Sequence, residues 1–129
     1  MCRLVPLMTS FNTEISVADI KKKHIENIIE SAEKCDKIDA IVLFGSALED
    51  RCKEDSDIDF AIISKHTVSS LCRYKSFHEF SSQLYSKDLD QDYDILYFKS
   101  LEEIEDKKDH VGVCKELAQK GKVIYKGGD

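Results

Sequence analysis

The segment that most restricts this chain is Ala40-Ile41-Val42-Leu43-Phe44, five apolar residues in a row with β-branched members among them. Such a short continuous run has no polar side to turn toward water, so it reads as a strand covered on both faces. It stops at Gly45-Ser46. A polar, charged stretch from Ala47 to Ser56 follows, and a second strand then opens as Asp57-Ile58-Asp59 and turns apolar through Phe60-Ala61-Ile62-Ile63. Alternate residues of a strand share a face, with Cα atoms roughly 6.5–7 Å apart. Asp57 and Asp59 are therefore expected to project together, and Ile58 and Phe60 to the other side.

The flanking segments supply the rest of an α/β (α+β) domain. Ser16-Val17-Ala18-Asp19 resembles a capping box with Asp in place of Glu, so an amphipathic helix is expected from there to about Lys34, with Ile20, Ile25, Ile28, Ile29 and Ala32 on its buried side. Leu71, Tyr74, Phe77, Phe80 and Leu84 recur at helical spacing and predict a helix from Ser69 to about Tyr85. A turn over Leu89 to Asp92 leads to a third strand, Tyr93-Asp94-Ile95-Leu96-Tyr97-Phe98. Ser100-Leu101-Glu102-Glu103 offers a second capping box, opening one or two short helices that end at Gly121, and Val123-Ile124-Tyr125 suits an edge strand. The expectation is a single domain over residues 1–129, with a small mixed sheet flanked by helices and residues 1–13 as an N-terminal strand or arm.

Composition narrows the function. With a formal net charge of -6, the chain is poorly suited to holding a long nucleic acid by its phosphates, which takes many Lys and Arg side chains. Leu4-Val5-Pro6-Leu7-Met8 is interrupted by proline and too short to span a bilayer, and it lacks a cleavage pattern, so a cytoplasmic protein without a membrane segment is expected. Five scattered cysteines without C-x-x-C spacing and four isolated histidines suggest neither a disulfide framework nor a zinc site.

The chemistry resides in the acidic residues. Two carboxylates converging from one strand face suit a hard cation, and Mg²⁺ is commonly held by one or two carboxylates plus substrate phosphates. Gly45 removes a side chain where a phosphate would approach the backbone, and Ser46 adds a hydroxyl at a site where a helix would begin. Asp94 lies among sheet-core residues, where a carboxylate is costly unless paired or metal-bound, and is the candidate third ligand. Asp92, on the same face but in the polar Asp-Gln-Asp turn, is its rival. Asp55 reads as solvated.

Gly45-Ser46, ten residues, then Asp57-Ile58-Asp59 resembles the signature of minimal nucleotidyltransferases in the DNA-polymerase-β-like superfamily. Leu43-Phe44 before the Gly-Ser, Ser56 ahead of the first aspartate and Asp94 in a later strand agree, and the likeness runs from about Ile20 to Tyr125. The resemblance implies a polymerase-β-like fold. It implies Gly45, Ser46 and Ser56 at the nucleotide, and Asp57, Asp59 and Asp94 as catalytic residues holding two Mg²⁺ ions, with ATP as substrate. Within the superfamily the chain looks like the antitoxin of a toxin–antitoxin pair, which transfers AMP to a tyrosine of an all-helical ribonuclease toxin; a homo-oligomer stays open. Where family members often carry arginines, this loop has Ala47 and Glu49, with Asp50 in place of a glycine. Arg51, Lys53 or Lys65 is the candidate to compensate; otherwise these basic residues are surface charge. Two alternatives remain at this point: a binding module that neutralises its partner by contact alone, and transfer to a small molecule such as an antibiotic.

Overall fold

The computed structural model describes residues 2–87 and 91–127. Its chain order is β1 (Leu4–Met8), β2 (Glu14–Ala18), α1 (Lys22–Ala32), β3 (Ala40–Phe44), β4 (Ile58–Ile63), α2 (Val68–Leu71), α3 (Lys75–Lys87), β5 (Tyr93–Phe98), α4 (Leu101–Lys107), α5 (Gly112–Lys120) and β6 (Lys122–Lys126). The five apolar residues of β3 are all buried, and β3 occupies an inner position of a four-stranded sheet ordered β5-β4-β3-β6. β3 runs antiparallel to β4 and β6, whereas β4 and β5 are parallel. This is the mixed sheet expected from the strand patterns, with β6 at an edge.

Period-2 alternation decides what each face meets. Ile41 and Leu43 of β3, Ile58, Phe60 and Ile62 of β4 and Ile124 of β6 pack with Ile25 and Ile28 of α1 and Phe77, Phe80 and Leu84 of α3. On the other side Val42 and Phe44, with Ala61 and Ile63, meet Ile104 of α4 and Cys114 and Leu117 of α5. Asp59 has the parity of Ala61 and Ile63, and Asp94 that of Leu96 and Phe98. Both therefore belong to the α4/α5 face, near the end of the sheet. Among the described residues no helix is long and apolar enough to cross a membrane.

Two expected helix boundaries are corrected. Ser16-Val17-Ala18-Asp19 does not cap a helix: Ser16 lies within β2, opposite Pro6 of β1, and a 3₁₀ turn over Asp19–Lys21 separates that strand from α1. Ile15 and Val17 alternate as strand residues do, and Val17 and Leu7 reach the core from the hairpin. Burying Val17 there outweighs the weak capping signal. The segment from Ser69 to Tyr85 is also two helices rather than one. Thr67 caps α2 by accepting from Ser70 N at 3.2 Å, the chain turns at Cys72–Tyr74, and His78 Nε2 donates to the Cys72 carbonyl at 2.7 Å. That turn places Tyr74 edge-on against His66, with ring centroids 5.2 Å apart. Of the turn expected over Leu89 to Asp92, Leu89 and Asp90 lie outside the described residues.

The second capping box forms in altered shape. Ser100 Oγ accepts from Glu103 N at 3.2 Å, while Glu103 Oε1 reaches back to Lys99 N at 2.8 Å. Ser100→Ala is expected to destabilise the fold by ~1 kcal/mol, read as a lower urea midpoint at unchanged slope, with the chemistry of folded molecules intact.

Candidate active site

The parallel register of β4 and β5 sets Asp59 directly beside Asp94. Asp59 is half-buried at the start of β4, while Asp94 is exposed on the edge strand β5. The Asp59 and Asp94 carboxyl groups lie within hydrogen-bonding reach of each other. The Asp59 carboxyl is pushed up to about 6, first by burial, then by the hydrogen bond to Asp94, and further by the negative charges of Asp94, Asp57 and Glu116. Asp57 stands exposed one residue before β4. Asp92, the rival of Asp94, precedes β5 and uses its carbonyl to accept from Ile58 N at 3.1 Å.

Gly45 closes the site from β3. Its φ is +80°, a conformation that costs an L side chain, and a Cβ built there would stand 2.4 Å from Asp59 Oδ2. The Gly-Ser turn thus touches the carboxylate pair through a contact that glycine alone permits. Gly45–Leu48 forms one 3₁₀ turn rather than a longer helix. Ser46 is half-buried within it, and Cys52 Sγ lies 3.9 Å from its Oγ. Ser56 lies in the loop before Asp57, where its Oγ accepts from Lys53 N at 3.1 Å.

A cavity of about 850 Å³ opens beside this turn. Gly45, Leu48 and Arg51 line one side, Glu116, Lys120 and Lys122 another, and Ile15 of the N-terminal hairpin a third. Its volume falls in the roughly 300–1,000 Å³ range of small-molecule sites. Of the three basic residues named as candidates to compensate for the loop arginines, Arg51 lines this cavity and pairs with Glu49. Lys53 lines a separate cavity with Cys2 and Cys52. Lys65 follows the far end of β4, where its backbone N–H donates to Asp39 at 3.1 Å. Lys120, Lys122 and Glu116 were missed in the sequence because they belong to a helix end and a strand remote along the chain, and carry no local motif.

The donor set suits a hard divalent cation. Two carboxyl groups set side by side offer oxygen ligands, and a divalent cation between them would offset their mutual repulsion. Among the described residues no three acidic, histidine or cysteine side chains already stand around a common point.

The family model described as polymerase beta, nucleotidyltransferase matches residues 26–128. No curated protein matches the chain significantly. Among solved structures, a crystal structure of a mutant of the toxin-antitoxin MntA-HpeT is 22% identical, with a TM-score of 0.49, and the match covers 82% of this chain and 73% of that one. The family match takes in β3, the Gly-Ser turn and both carboxylate-bearing strands, and so the chain belongs to the polymerase β nucleotidyltransferase family.

Proposed function

We propose that this nucleotidyltransferase moves AMP from ATP onto a hydroxyl, and that the acceptor is a tyrosine of an all-helical partner toxin, which makes the chain an antitoxin. The observation that carries the transfer chemistry is the Asp59–Asp94 pair, in register on adjacent parallel strands and in contact with Gly45. The antitoxin assignment rests on the Gly-Ser and Asp-x-Asp signature and its resemblance to the minimal members of the superfamily.

Asp57, Asp59 and Asp94 would hold Mg²⁺, which supplies charge to the triphosphate and orients the attacking and leaving oxygens. The acceptor oxygen bonds to the α-phosphorus, the bond from that phosphorus to the bridging oxygen breaks, and pyrophosphate leaves. Asp94 is exposed on the edge strand and so accessible to an incoming hydroxyl, whose proton a carboxylate oxygen there can accept. The turn at Gly45 lets phosphate oxygens approach backbone, with Ser46 inside that turn and Ser56 in the loop that leads to Asp57. Lys120 and Lys122 are the basic residues of the cavity wall left to meet the triphosphate, beside Glu14 and Glu116 and the Arg51–Glu49 pair, the part played elsewhere by loop arginines.

The decisive experiment is incubation of the chain and its co-purified partner with Mg²⁺ and each nucleoside triphosphate, followed by intact mass measurement. A gain of one AMP on the partner supports the reading; no gain on any acceptor with any nucleotide rejects it. Lys120→Ala combined with Lys122→Ala is expected to raise the KM for ATP about 10-fold or more, as loss of a charge-assisted contact does, with kcat within about threefold. An unchanged KM would remove these lysines from the nucleotide site.

A second reading, neutralisation by binding alone, is favoured by one observation: Arg51 is paired with Glu49, which offsets its charge at the cavity. Neutralisation of the partner that survives Asp57→Asn with Asp59→Asn would support it.

A further inference from the structure

Three lysines in succession, Lys21-Lys22-Lys23, have the look of a solvated charge run. One of them is not solvated. Lys21 is 1% exposed, at the end of the 3₁₀ turn that leads into α1. Its Nζ donates to the Glu54 carbonyl at 2.9 Å, the Ser56 carbonyl at 2.7 Å and Gln91 Oε1 at 2.7 Å. An ammonium has three protons, and these three oxygens use all of them. Gln91 is itself 4% exposed, and its Nε2 donates to the Ser56 carbonyl at 3.0 Å and to the Asp92 carbonyl at 2.8 Å. The Asp92 carbonyl in turn accepts from Ile58 N.

These bonds tie together the two segments that enter the parallel strands. Glu54 to Ser56 immediately precedes Asp57, and Gln91-Asp92 immediately precedes the strand bearing Asp94. Parallel strands have no hairpin turn between them to set their register. A slip of one residue would move Asp94 to the opposite face from Asp59. We propose that Lys21, acting through Gln91, is the positioning residue that holds the β4 and β5 entrances level, and so sets Asp57, Asp59 and Asp94 as one divalent-cation site. This rests on the metal-dependent transfer proposed above. Lys21 touches neither of the paired carboxyls among its hydrogen bonds; it acts through the backbone that carries them.

The test compares Lys21→Met, which keeps the stem and removes the ammonium, with Gln91→Leu and with Ser100→Ala as a destabilised control remote from the site. Three readouts are taken on each folded variant: Mn²⁺ affinity of the nucleotide-free protein by electron paramagnetic resonance, amide hydrogen exchange over residues 54–59, and kcat and KM for ATP. Lys21→Met and Gln91→Leu are expected to weaken Mn²⁺ binding and lower kcat by about 10- to 100-fold, as loss of outer-shell support does. The KM for ATP should stay within about twofold, exchange over 54–59 should accelerate, and the double variant should be little worse than either single one. Ser100→Ala should leave all three readouts unchanged. If Lys21→Met does not fold, Gln91→Leu decides the matter alone. Mn²⁺ affinity within twofold of the parent in a folded Gln91→Leu or Lys21→Met protein overturns the proposal. If the parent transfers no nucleotide but binds Mn²⁺ in a clamp-dependent way, the transfer reading fails and the positioning role stands.

Discussion

Asparagine in place of Asp59 is expected to abolish nucleotidyl transfer and, in the same protein, to raise stability at neutral pH when no divalent cation is present. Both effects come from one placement. Asp59 is raised from the ordinary 3.8 to about 6 because it is half-buried and faces Asp94, Asp57 and Glu116. A carboxyl whose folded value is raised favours folding in its protonated form. Its contribution is complete below about pH 4 and is lost as pH rises through about 6. At pH 7 the ionised pair is a liability, of order 1–2 kcal/mol after allowing for solvent screening. Asparagine is neutral at every pH and can donate to Asp94. Asp59→Asn should therefore melt like the parent near pH 4 and a few degrees higher at pH 7 in EDTA. Adding Mg²⁺ at pH 7 should raise the parent and leave the variant nearly unmoved. Transfer should fall at least about 10²–10³-fold, the scale of losing one strong electrostatic contact in a reaction site. A melting difference that ignores pH, or transfer that persists, would remove Asp59 from the role assigned to it.

Gly45→Ala is expected to damage both stability and transfer, for a reason that no other glycine in the site shares. The residue sits at φ +80°, where an added Cβ costs roughly 1 kcal/mol or more. That Cβ would also lie 2.4 Å from Asp59 Oδ2 and 3.3 Å from its Cγ. Contacts so short cannot persist, so either the turn or the Asp59 carboxyl must shift, and the hydrogen bond to Asp94 lies in the path. A loss of about 1–3 kcal/mol is expected, together with about a 10²-fold fall in kcat, since displacements near 1 Å at a reaction centre have that effect. Where the Asp59 carboxyl is the group that moves, it parts from Asp94, and the pH dependence of the melting temperature should flatten as well. Equilibrium unfolding in urea at pH 5 and pH 7, with turnover measured on the folded fraction, checks all three. Activity within twofold of the parent would mean that the turn is not part of the reaction site.

Local sequence was sufficient for the parts of this protein governed by short-range periodicity. The apolar run at Ala40–Phe44 had to be a two-sided strand, and the alternation of β4 put Asp59 on the face opposite Ile58 and Phe60. Asp94 could be nominated from its apolar neighbours, and the spacing from Gly45-Ser46 to Asp57-Ile58-Asp59 was enough to suggest the family later found by the match over residues 26–128. The N-terminal hairpin was less legible, because Ser16 satisfies both a weak helix cap and an ordinary strand position. Burial of Val17 decided between them. Long-range pairing brought Asp94, the residue the sequence favoured over Asp92, directly beside Asp59, through the register of two parallel strands. It likewise selected Lys21 from three consecutive lysines, by bringing oxygens of residues 54, 56 and 91 to its ammonium. Residue type and spacing encode which face a side chain occupies. Which distant group it meets depends on how the whole core closes, and that was decided only in three dimensions.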